Sequence, residues 1–211
     1  MFNFQEYKKI RENINFLGKK TEIVAISKNH PQEDIEKAIS CGLEIFGENR
    51  VQEARLKFEN ILKNNKKIKL HLTGPLQTNK VKVALELFSV FHTLDREKLV
   101  RELIKFPEKT SSKSFFIQVN TGNEPQKFGV ALNNAEELIQ SFKDYKIKVS
   151  GLMCLPPENE DPSKHFQILQ SLAQNNHIKN LSMGMTNDFH IALKYGSTHI
   201  RIGSAIFGKR I

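Results

Sequence analysis

In Thr21-Glu22-Ile23-Val24-Ala25-Ile26-Ser27-Lys28-Asn29-His30-Pro31 the architecture of the whole chain is already visible. Four consecutive apolar residues flanked by polar ones read as a strand buried on both faces, the mark of a parallel sheet. The turn that follows carries no glycine-rich run. An open, doubly wound sheet would normally place one there to receive a dinucleotide. Beyond Pro31, the spacing of Ile35, Ala38 and Ile39 puts three apolar side chains on one helical face. The unit is therefore strand, short turn, amphipathic helix.

That unit recurs to the end of the chain. Strands are predicted over 43–47, 69–73, 90–93, 114–120, 148–153, 181–183 and 198–203. Helices are predicted over 51–62, 80–87, 96–104 and 188–194. Two more follow from spacing, one through Ala131, Ala135, Leu138, Ile139 and Phe142, the other through Phe166, Leu169, Leu172 and Ala173. Strands alternating with helices argue for a parallel sheet, and eight of them argue for closure into a barrel. Residues 4–16 form an extra helix before the first strand and stand in for a truncated eighth helix. The expected fold is α/β, a single (β/α)8 TIM-type barrel with an extra N-terminal helix, one domain over residues 1–211.

Composition narrows the function classes. The 211 residues are 39% hydrophobic and 26% charged, ordinary for a globular chain. No stretch approaches the roughly 18 apolar residues of a membrane span. The start, Met1-Phe2-Asn3-Phe4-Gln5-Glu6, has no signal pattern. Cys41 and Cys154 are too few for a disulfide framework, and a cytoplasmic location is expected. Net charge is +9, but the excess lysines are scattered through turns and outer helix faces, so no nucleic-acid partner is expected. The seven histidines show no ligand spacing with cysteine or carboxylate, so no metal is expected.

In a barrel, chemistry collects where the strands end at the C-terminal mouth. Lys28 ends the first strand. Partial desolvation there lowers an amine's pKa and makes it a candidate for Schiff-base formation, although on position alone a solvent-facing lysine after a strand is the commoner case. Met183-Gly184-Met185-Thr186 and Ile202-Gly203-Ser204 put glycine and a hydroxyl where the seventh and eighth strands pass into helices. Such turns suit a phosphate, or else form plain turns with a cap. Alternation points Arg201 inward together with Gly203, and an inward arginine needs an acceptor. Asn49 either meets a ligand or caps the following helix. His71 reads as a core histidine. A lysine, a phosphate cradle and an inward arginine fit pyridoxal 5′-phosphate, and equally a sugar-phosphate substrate of an aldolase.

Seven stretches then resemble one family in order along nearly the whole chain. They are Val24-Ala25-Ile26-Ser27-Lys28, Phe46-Gly47-Glu48-Asn49-Arg50-Val51-Gln52-Glu53, Gly74-Pro75-Leu76-Gln77-Thr78-Asn79-Lys80, Gln118-Val119-Asn120-Thr121, Gly151-Leu152-Met153, Leu181-Ser182-Met183-Gly184-Met185-Thr186-Asn187-Asp188-Phe189, and Gly196-Ser197-Thr198 through Gly208. The chain resembles the pyridoxal phosphate homeostasis proteins. That resemblance implies a barrel like the alanine racemase N-terminal domain and an internal aldimine at Lys28. It also implies phosphate contacts from Met185, Thr186, Gly203 and Ser204, Arg201 at the pyridine nitrogen, and Asn49 near the ring. Binding, buffering and delivery of the cofactor to apoenzymes follow from it. Two positions depart from the family pattern: His30 stands where a second lysine is frequent, and Thr186 where serine is usual. Lys127 matches a further family lysine.

The alternative is an enzyme, a weak amino-acid racemase or a lyase. Two-base racemisation needs a proton donor opposite the lysine. Tyr7, Tyr145 and Tyr195 all fall in stretches away from the expected mouth. An arginine at the pyridine nitrogen also weakens the ring as an electron sink. A monomeric carrier without an assigned catalytic residue is therefore the leading expectation.

Overall fold

The computed structural model describes residues 2–208. Its elements run α1 (Phe4–Phe16), β1 (Glu22–Ile26), α2 (Gln32–Ser40), β2 (Ile45–Glu48), α3 (Val51–Asn64), β3 (Lys69–Leu72), α4 (Val81–Leu87), β4 (Val90–Leu94), α5 (Glu97–Leu103) and α6 (Pro107–Thr110). They continue with β5 (Ser114–Asn120), β6 (Val130–Ala131), α7 (Ala135–Asp144), β7 (Val149–Cys154), α8 (Pro162–Asn175), β8 (Asn180–Met185), α9 (Phe189–Lys194), β9 (His199–Ile202) and α10 (Ser204–Phe207).

Every strand pair is parallel. The neighbour order β4-β3-β2-β1-β9-β8-β7-β5, with β4 also paired to β5, closes eight strands into the expected barrel. Alternation assigns the two faces. In β5, Phe115, Ile117 and Val119 join the core between sheet and helices, whereas Phe116 stacks inside the barrel on His92, ring centroids 4.7 Å apart. The helices answer with one apolar stripe each: α3 buries Val51, Ala54 and Phe58, and Phe58 packs on Phe46 at 5.5 Å.

One strand was not expected. Val130–Ala131 pairs with Val119–Asn120 and adds a ninth strand beside the closed eight. Ala131 therefore belongs to a strand and not to the helix, which starts at Ala135. Two residues are too few to show periodicity. The pairing is made possible by Gly129, whose φ of +119° lets its backbone lie against Asn120 N.

The extra N-terminal helix does cover the place of a full eighth helix. α10 is one turn long. Asn3 N donates to Ile206 O at 2.6 Å, and Phe2 packs on Phe207 with centroids 5.7 Å apart. Among the described residues, no helix is long and apolar enough to cross a membrane.

Candidate functional site at the barrel mouth

Strand order assembles the site. β8, β9, β1 and β2 are consecutive in the barrel wall, and their C-terminal ends carry Met185-Thr186, Gly203-Ser204, Lys28 and Asn49 in that order. The registers Met185↔Arg201, Ala25↔Ile202 and Ile26↔Gly47 keep these ends level. All seven predicted site residues thus lie on one arc of the mouth or directly beneath it.

Lys28 sits half-buried in the turn after β1, followed by Asn29 in the left-handed region at φ 61°. Asn49 does not cap α3. Arg50 holds that position without a side-chain bond, and Asn49 Oδ1 instead accepts from Thr73 Oγ1 at 3.1 Å. Gly74 packs its backbone directly against the backbone of Asn49, where any Cβ would collide. Thr186 does not cap α9 either: Asp188 holds that position, and its Oδ1 turns back to accept the Met185 N–H at 2.5 Å. Met185 and Ser204 are exposed, and Thr186 and Gly203 half-buried. His30 is buried and stacks on Phe207 at 5.1 Å, joining the Lys28 turn to α10. Lys127 lies across the mouth, paired with Glu124 at 2.7 Å and donating to Pro156 O.

Arg201 faces the barrel centre, as alternation requires, and is buried. Among the described residues, no carboxylate is hydrogen-bonded to it. Its Nη1 donates to Ser182 O at 2.8 Å and Ser182 Oγ at 2.7 Å, and its Nη2 to Cys154 O at 2.9 Å. A guanidinium has five N–H groups, so these neutral acceptors occupy only part of it. Burial lowers its pKa, yet from an ordinary value above 12 the group stays cationic at neutral pH. A buried cation hydrogen-bonded only to neutral acceptors, with donors to spare, fits a ligand that brings a lone pair or negative charge, and the nearby Asp188 charge helps to keep it cationic. Cys154 beside it is inert as a nucleophile, its thiol pushed up to about 12 by burial.

Arg201 also dictates a chain of protons. It can only donate, so Ser182 Oγ accepts from it. The Ser182 hydroxyl then has one acceptor left among the described residues, His92 Nδ1 at 2.8 Å. His92 therefore carries its proton on Nε2 and donates to His71 Nδ1 at 3.1 Å. His71 in turn carries its proton on Nε2, a buried atom with no hydrogen-bond partner among the described residues. His71 is a core histidine as expected, but only half satisfied. Burial holds both rings neutral, lowering His71 to about 3 and His92 well below its ordinary value.

Sequence reasoning passed over Glu48 and Lys57. Glu48 is fully buried behind the Lys28 turn, where its Oε1 accepts from Ser27 Oγ at 2.7 Å and lies 2.6 Å from Lys57 Nζ. Burial pushes this carboxyl up, while Lys57 and Ser27 oppose the shift. The available signal was a glutamate directly after the apolar residues Ile45-Phe46-Gly47, at the end of the strand. Lys57, four residues after Glu53, looks on sequence like an ordinary surface pair.

A family model described as the alanine racemase N-terminal domain matches residues 6–210. A pyridoxal phosphate homeostasis protein from Aquifex aeolicus is 37% identical over 200 residues, covering 90% of this chain and 87% of its own length. The chain belongs to the pyridoxal phosphate homeostasis protein family. Another family member, from Escherichia coli K12, is 33% identical over 89% of this chain and 85% of its own. Among solved structures, PipY of Synechococcus elongatus superposes with a TM-score of 0.85 without PLP, at 29% identity, covering 97% of this chain and 99% of that one. The same protein with PLP bound gives a TM-score of 0.83. Alanine racemase from Acinetobacter baumannii shares the fold at a TM-score of 0.76 and 14% identity, and this chain spans 61% of it. The racemase-like barrel is thus the scaffold of this homeostasis family.

Proposed function

We propose that this chain is a pyridoxal 5′-phosphate-binding protein that holds, buffers and delivers the cofactor, and so serves vitamin B6 and amino-acid homeostasis. The observation that carries the reading is the consecutive placement of an amine, two glycine-and-hydroxyl turns and a buried arginine held only by neutral hydrogen-bond acceptors, on β1, β8 and β9. When bound, the cofactor supplies an aldehyde that condenses with an amine, releasing water. Lys28 is the amine. Backbone N–H groups and hydroxyls of Met185, Thr186, Gly203 and Ser204 receive the phosphate. Arg201 directs a spare N–H toward the pyridine nitrogen, and Asn49, braced by Thr73, lies beside the ring.

The reading as a carrier rests on what surrounds the amine. Tyr7 lies on α1, and Tyr145 and Tyr195 follow the C-terminal ends of α7 and α9. Those ends precede the strands and lie at the rim opposite the mouth, so no tyrosine of this chain stands across from Lys28. Residues 1–211 act as one domain, as a monomer in the cytoplasm, with apoenzymes as recipients.

Borohydride reduction of protein loaded with the cofactor, followed by peptide mass mapping, tests the attachment. The expected result is a single reduced adduct on Lys28, lost together with the near-visible absorbance band in Lys28→Ala. An adduct on Lys127 or Lys57, or none, overturns the assignment. Delivery predicts that loaded protein activates a cofactor-free enzyme faster than free dissociation of the cofactor allows.

A further inference from the structure

Three close acceptors surround the Lys57 ammonium on α3, with His30 O farther off at 3.5 Å. The close ones are Ser27 O at 2.8 Å, Glu53 Oε1 at 2.9 Å and Glu48 Oε1 at 2.6 Å, enough to engage its three N–H groups. The cluster grips the chain on both sides of Lys28. Upstream, Ser27 is held twice, by its carbonyl on Lys57 and by its hydroxyl on Glu48. Downstream, the Asn29 N–H donates to Glu53 Oε1 at 2.7 Å. Hydrogen bonds from Asn29 and Lys57 outweigh the cost of burial and keep Glu53 below its ordinary pKa, so it stays an anion at neutral pH.

Stability alone is a poor reason for such a cluster. Buried ion pairs gain little over apolar residues of the same volume. This one leaves Glu48 Oε2 buried without a partner, a real cost. What the cluster does deliver is geometry: a left-handed Asn29 and a fixed carbonyl at Ser27 allow the intervening residue only a narrow range of backbone positions.

We propose that Lys57, Glu53 and Glu48 are positioning residues that set the backbone on either side of Lys28, and so set the reach and direction of its amine into the mouth. The proposal rests on Lys28 being the attachment amine. It predicts a preorganised turn in the cofactor-free protein, where attachment is fast because the amine needs no search.

The test uses Glu53→Ala, Glu53→Gln and Lys57→Met in the full chain. Two quantities are read: hydrogen exchange of the Asn29 amide without cofactor, and the stopped-flow rate of attachment with it. Glu53→Ala is expected to raise exchange and slow attachment, each about tenfold. Glu53→Gln keeps an acceptor for Asn29 and is expected to recover most of both. Lys57→Met strands the buried Glu48 carboxyl, so it is expected to lower the thermal midpoint, to slow attachment further and to move the pH midpoint of the absorbance band. If Lys57→Met does not fold, the Glu53 pair decides, because that side chain is partly exposed. Attachment rate and band midpoint within twofold of the parent in folded variants, with the adduct still on Lys28, overturn the positioning role alone. A parent protein with no reducible adduct on Lys28 overturns the attachment reading and this proposal together.

Discussion

At the residue scale, the interior of the barrel is governed by a single donor-only side chain. Arg201 forces Ser182, His92 and His71 into one order of donors and acceptors, and burial keeps both histidines neutral. In the unfolded chain each titrates near 6.5. Above that pH neither state binds the proton. Below it the unfolded chain takes up protons that the native barrel refuses, so stability falls as pH falls. The slope approaches about 1.4 kcal/mol per pH unit for each ring. Urea unfolding between pH 7.5 and 5 checks this, above the range where most carboxylates titrate. Replacing His71→Gln, which keeps an acceptor for His92, is expected to flatten the slope by about half. A midpoint independent of pH in the parent protein would contradict the neutral chain. The inward direction of Arg201 was readable from strand alternation alone. Its acceptors were not, because two of the three are backbone oxygens, which no side-chain pattern announces.

At the scale of elements, the connections decide the site more than the strands do. Gly74, just after β3, lies where any side-chain carbon would strike the backbone of Asn49. Gly74→Ala is expected to destabilise by about 1–3 kcal/mol through overpacking, and to weaken cofactor binding by displacing Asn49. Chemical denaturation and a spectroscopic titration read the two effects separately. Unchanged affinity in a destabilised variant would remove Asn49 from the site. α10 presents a second case. Its Phe207 meets Phe2 before α1 and His30 after β1, so one ring ties the segment before α1, the Lys28 turn and the Gly203-Ser204 turn together. Phe207→Ala is expected to cost about 3–5 kcal/mol and to loosen α1, seen as faster amide exchange over 4–16. Element positions were largely legible, with 4–16 and 114–120 read to the residue. β6 was not legible: its two residues pair only because Gly129 brings them alongside β5.

For the whole molecule, closure is what turns a list of strand ends into a site. Lys28 and Ser204 are far apart in the chain, yet β1 and β9 are neighbours because the barrel joins its first strand to its last. The same closure buries a row of polar residues along the axis, which an open sheet would leave at a crevice. The repeat, the barrel, the inward arginine and the family are legible in the order of residues, because periodicity, alternation and contiguous motifs are local properties of a chain. The acceptors that hold Arg201, the order of protons along the histidines, and the placing of Lys57 and Glu48 behind Lys28 emerge when the barrel folds. Those contacts join residues up to 90 positions apart, or depend on backbone atoms common to every residue.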